Sequence, residues 1–187
     1  MKNIIIRRVV AVTAAVAGLP LTMAGLHGLL THSYTGSAAE NILPCRTASR
    51  ENVVCLAGGD GSTIQRAIAG LPQDGGRIVL GAGTFPIYAP LVIDRDHVEL
   101  SGDQELTVLK LADRVNCPLL VVGQLATPIV RRVSDVSVRK LILDGNRLAQ
   151  DHECNGGPCD NGGLSFIRNN ALTIRGAEDV HIEDLTT

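Results

Sequence analysis

Asp144 and Asn146 flank a glycine directly after the aliphatic run Leu141-Ile142-Leu143. A carboxylate and an amide at the end of such a run can face outward and bind sugar hydroxyls. The same Asp-Gly-Asn order is a turn former, and the turn is the preferred reading. His152 and Glu153 lie in a long polar segment, 147–163, where a general acid or base can sit. Arg168 follows that segment and joins Arg139, Lys140 and Arg175 as the cations of the region. Removing a proton beside a uronate carboxyl needs a base and a positive charge on that carboxyl; arginine supplies the charge and is a reluctant base. Asp135 and Asp179 precede matching aliphatic runs. If those runs stack directly, their carboxyls stand ~4.8 Å apart, close to the ~5–5.5 Å of a retaining glycosidase. Every equivalent pair in a stack shares that spacing, and Asp before a strand is ordinarily a turn residue. Asn169-Asn170 read the same way, as turn residues. Asp144, Asn146, His152, Glu153 and Arg168 are therefore the candidate substrate-binding residues, and no catalytic residue is assigned.

Five cysteines add a second constellation. Cys45 and Cys55 can close a short N-terminal loop. Cys154 and Cys159 bracket Asn-Gly-Gly-Pro, a flexible turn, and Cys117 is left over. Four cysteines allow three pairings, so this one is a preference. Zinc is the weaker reading, because short cysteine spacings must come in pairs of clusters and no second cluster follows. No Ser-His-Asp triad or HExxH motif is present. Calcium suits the many aspartates, yet no ligand series has a recognisable spacing, so no metal site is assigned.

Composition narrows the class. The chain has 187 residues, 45% hydrophobic and 19% charged, with a net charge of −2. That is an ordinary globular balance, and one domain fits the length. There is no basic surplus to neutralise phosphates, and aromatics are 2%, so nucleic acid is not an expected partner. Lys2, Arg7 and Arg8 precede an apolar run from Val9 to Leu19, which Pro20 breaks before the small-residue site Thr22-Met23-Ala24. This is the layout of a secretory signal peptide over 1–24, with a second cleavage site as late as residue 39. The alternative is an uncleaved anchor over Val9 to Leu30, the one route to a membrane partner. Both readings place the remainder outside the cytoplasm: secreted, periplasmic or at the cell surface. Disulfides persist in those compartments.

These residues need elements to position them. Ser62-Thr63-Ile64-Gln65 reads as a capping box, and Ile64, Ala67, Ile68 and Leu71 form one apolar stripe on a short helix that ends at Pro72. Gly58-Gly59-Asp60-Gly61-Ser62 lacks the lysine of a phosphate loop. After Gly76 the pattern alternates, with short strands at 77–80, 91–93, 98–100, 107–111 and 119–122. Asp135–Leu141 matches Asp179–Leu185, and Val98–Gly102 matches Leu172–Gly176. A repeat of short strands behind one amphipathic helix predicts an all-β solenoid of stacked rungs, with the helix capping the first rung. The interval from 135 to 179 fits one rung plus an excursion over 147–163. The chain divides into the leader, an N-terminal linker with a disulfide over 25–57, and the capped stack over 58–187.

Thr63–Ile68, then Asp74-Gly75-Gly76, then Ile78–Phe85, resembles the start of the right-handed parallel β-helix proteins of the pectate-lyase superfamily. Leu141–Asn146 and Val180–Leu185 resemble its rungs. The resemblance covers about residues 58–187 and implies a truncated parallel β-helix, because Thr187 falls inside a strand and no C-terminal cap follows. It also implies polysaccharide as substrate or ligand, through lyase, glycoside hydrolase or epimerase chemistry, or through binding alone on a non-catalytic surface protein. Whether the chain is an enzyme is left open by the resemblance. An inactive N-terminal fragment is the third expectation.

Overall fold

The computed structural model describes residues 4–10, 52–151 and 169–187. The described residues are mostly β: curled parallel sheet, with one α-helix and a single 3-10 turn at Arg147–Ala149. The strands are β1 (Ile4–Val10), β2 (Val53–Leu56), β3 (Gly76–Leu80), β4 (Gly83–Ile87), β5 (Leu91–Ile93), β6 (Val98–Ser101), β7 (Thr107–Leu111), β8 (Leu120–Gly123), β9 (Val133–Asp144), β10 (Leu172–Arg175) and β11 (Ala177–Thr186). The helix, α1, is Gly61–Gly70.

Each strand pairs in parallel with its equivalent further along the chain. One row runs β2-β3-β6-β9-β11. A second joins β4, β7 and the end of β9, and a third joins β5, β8 and β10. The register is strict: Ile78, Leu100, Val138 and Ile182 align, and all are buried. Alternate residues therefore stack aliphatic on aliphatic inside, and their neighbours point out. β9 and β11 pair directly, so the interval between Asp135 and Asp179 is one layer with an excursion, as the spacing suggested.

The corners between strands repeat as well. Gly75, His97, Asp135 and Asp179 precede in-register residues and all have positive φ, from 53° to 82°. A glycine fits this corner at no steric cost and an Asp tolerates it, which is why those types recur there. Gly75 is held to glycine more tightly, since a Cβ on it would stand 2.1 Å from the His97 carbonyl oxygen.

Three sequence expectations need correction. The helix is capped by Asp60, not Ser62. Its carboxylate accepts from the Thr63 N–H at 2.9 Å and from the Ser62 hydroxyl at 2.7 Å. A carboxylate accepts more strongly than a hydroxyl, and these two bonds, Ser62 first, hold the Asp60 carboxyl below its ordinary range. Gln65 is thereby released from a capping role. It donates to the Val92 carbonyl at 3.0 Å and accepts from the Val92 N–H at 2.9 Å, and so closes the free edge of β5. Second, the linker assigned to 25–57 includes β2, which covers the first edge of β3; the helix and this strand close that end together. Third, β10 pairs with β8, and β6 lies in another row, so Val98–Gly102 and Leu172–Gly176 are not equivalent positions. Similar strand sequences meet the same inside-outside demand in different rows.

β1 lies beside β11, with Ile4, Ile6 and Val9 at the positions of Val180, Ile182 and Leu185. Most of the segment read as leader or anchor lies outside the described residues. Among those described, no helix is long and apolar enough to cross a membrane.

Candidate functional site

The outward face of the β3-β6-β9 row carries a polar groove. Arg77, Glu99 and Ser137 share one register position on three neighbouring strands, ~4.8 Å apart. Glu99 links two arginines: Oε2 pairs with Arg77 at 2.9 Å, and Oε1 accepts from Arg139 Nε at 2.9 Å and also from its Nη2. At the corner beside them His97 and Asp135 meet, with Nδ1 of the ring 2.9 Å from Oδ2 of the carboxylate. Asn52 and Asp74 also line the groove, while Arg139 reaches Glu99 from outside it.

The corner geometry explains the pair. His97 and Asp135 occupy equivalent positions on adjacent strands, and both are left-handed, so their side chains leave the sheet side by side. The hydrogen bond to Asp135 raises the His97 pKa above its ordinary value, with the Asp135, Asp96 and Asp74 charges adding to it and desolvation opposing it. Nε2 has no hydrogen-bond partner among the described residues, and the side chain is 54% exposed. A ring with one nitrogen fixed by a carboxylate and the other open to solvent can take and return a proton near neutral pH.

A second groove lies on the β4-β7 row, lined by Thr84, Pro86, Tyr88, Lys110, Asp113 and Asn146. Tyr88 is 64% exposed, the most open aromatic of the described residues. Lys110 pairs with Asp144 at 3.2 Å. Asp144 also accepts from the Asn146 N–H at 2.8 Å, and Asn146, left-handed at φ 47°, donates from its side chain to Asp113 at 2.8 Å. The turn reading of Asp-Gly-Asn thus describes the backbone, while Asn146 lines the groove and Asp144 holds its Lys110.

The candidate residues therefore separate. Asp144 and Asn146 come together at the second groove. His152, Glu153 and Arg168 lie outside the described residues, as do Cys45, Cys154 and Cys159. Cys55 stands on β2, and Cys117 is a buried free thiol whose pKa burial pushes up to about 11. Asp135 and Asp179 occupy equivalent corners of the paired strands β9 and β11, and the Asp135 carboxylate hydrogen-bonds His97 on the other side. Arg175 donates to the Gln124 carbonyl at 2.9 Å and holds a connection in place. The described residues contain no group of three metal-ligating side chains.

His97 was missed by motif reading, because no motif contains it. A register signal was present: Gly76 pairs with Val98, 22 residues on (98 − 76), which puts His97 in the corner shared by Gly75, Asp135 and Asp179. Compared with known protein families, curated proteins and solved structures, the chain finds no match in any of the three.

Proposed function

We propose that the curled parallel sheet is a right-handed parallel β-helix of the pectate-lyase kind, and that the exported chain acts on a polysaccharide along its outer face. The observation that carries this reading is the groove over three in-register strands, with the His97–Asp135 pair at its corner. An extended glycan offers hydroxyls at regular intervals, and an in-register sheet offers donors and acceptors at regular intervals. His97 is the group best placed to move a proton to or from such a chain. The leader over 1–24, export to the cell surface or beyond, and the disulfides Cys45–Cys55 and Cys154–Cys159 belong to the same proposal.

A second reading, a non-catalytic carbohydrate-binding protein, is favoured by the ion pairs. Glu99, Asp144 and Asp135 each face a cation, so few charged groups stand ready for chemistry. One experiment separates the two. The purified protein is incubated with a panel of acidic and neutral polysaccharides while new reducing ends and unsaturated products are followed. Turnover that His97→Ala removes supports the enzyme; binding without turnover supports the second reading; neither binding nor turnover refutes both.

A further inference from the structure

We infer that the grooves on the outer face select neutral glycan over polyuronate. The inference rests on the reading that this face meets a polysaccharide, and it adds the chemical class. A polyuronate carries one carboxylate per sugar and is held by cations that have no carboxylate of their own. The grooves offer none. Arg77 and Arg139 share Glu99, and both oxygens of that carboxylate are engaged. His97 is held by Asp135, and Lys110 by Asp144. Arg131, at the neighbouring edge, is paired with Asp96. Arg95 beside it lines neither groove, and its guanidinium is turned to the carbonyls of Ile68, Ala69 and Pro72 at the end of α1.

Charge balance points the same way. Asp74, Glu99 and Asp135 line the first groove against one lining arginine, Arg77, with Arg139 reaching Glu99 from the side. A bound carboxylate would displace one of these pairs or lie against Asp74 and Asp135, and either is unfavourable. Hydroxyls meet no such obstacle. Asn52 and Ser137 each donate and accept, the carboxylates accept, and the open Nε2 of His97 takes either role. Tyr88 adds an exposed ring face in the second groove, which suits a sugar ring of either class.

The test is binding selectivity of the full chain at low salt. Soluble β-glucan, galactan and dextran serve as the neutral set, and polygalacturonate and alginate as the acidic set. The expected result is at least one neutral glycan bound about tenfold or more tightly than either polyuronate. Glu99→Gln removes the carboxylate that Arg77 and Arg139 share, and is expected to shift the ratio toward polyuronate by about tenfold. If Glu99→Gln fails to fold, Asp135→Asn at an exposed position gives the same reading in mildly acidic buffer, where His97 is protonated. Tighter binding of polyuronate by the unaltered protein overturns the inference and leaves the polysaccharide reading standing. Binding to no glycan overturns both. A neutral preference that neither substitution shifts also overturns it, because charge pairing would then not be its cause.

Discussion

His97 sits in a backbone conformation that costs a non-glycine residue on the order of 1 kcal/mol, and its neighbours over-determine it. Its N–H donates to the Ser134 carbonyl at 3.0 Å, and its carbonyl accepts from Gly76 at 2.9 Å. The ring is thus aimed by the backbone and tuned by Asp135. Replacing Asp135 by Asn removes the largest cause of the raised pKa, so His97 is expected to titrate nearer its ordinary value of 6.5. The pH dependence of the ring proton shifts in an NMR titration measures this directly. Stability carries the same sign. Because the folded pKa is raised, the pair contributes most below about 6.5, and the contribution fades as pH rises through the folded value. Thermal melts across that window should slope downward with pH in the unaltered protein and less so in Asp135→Asn. A His97 titration unmoved by the substitution would assign the shift to Asp96 and Asp74 instead.

At the scale of the element, α1 is more than a lid. Ile64, Ile68 and Leu71 bury its apolar stripe, and Gln65 presents one donor and one acceptor to Val92 as a paired strand would. Gln65→Ala leaves both Val92 groups without these bonds, and two bonds at roughly 1 kcal/mol each give an expected loss of about 2 kcal/mol in denaturant unfolding. Gln65→Glu should recover only the half made by the Val92 N–H. A loss below about 0.5 kcal/mol in Gln65→Ala would mean water replaces the side chain at no cost. Gly75→Ala tests the corner column: the positive φ and the 2.1 Å approach predict about 2 kcal/mol or more of destabilisation by the same assay. The helix and most strands were legible because apolar period follows directly from burial on one face. The cap was misplaced because Asp60 and Ser62 both suit it, and only the chain path decides between them. β2 and β4 were passed over for the same kind of reason. Val53–Leu56 is a short run inside a segment read as linker, and Gly83–Ile87, with its glycine and proline, carries no strand pattern without its partner β7. His97 and Tyr88 became candidates only once register brought them beside Asp135 and Lys110, since neither lies in a motif with its groove partners.

At the scale of the whole molecule, the two edges of the long parallel sheet are covered by different elements. α1 and β2 close the first, through residues that read as a cap and a linker. At the other end β11 pairs with β1, whose Ile4, Ile6 and Val9 fall on the register of the buried Val180, Ile182 and Leu185. One stretch, Ile-Ile-Ile-Arg-Arg-Val-Val, meets two demands: the charged and apolar order of a leader, and the inside-outside order of Val136–Ile142. The leader reading hid the strand reading, because the two differ only in what lies beside the segment. They also differ in consequence. Processing after Ala24 would remove β1 and leave the β11 backbone groups on that side unpaired. A free parallel edge over buried-type aliphatic residues is a template for another strand, whether a later strand of a longer chain or one from a second molecule. The polypeptide 25–187 is therefore expected to associate as its concentration rises, while 1–187 does so less at the same concentration. Sedimentation velocity on both measures the difference. Equal, monomeric behaviour of the two would mean that β1 does not protect the edge, and that residues beyond those described cover it.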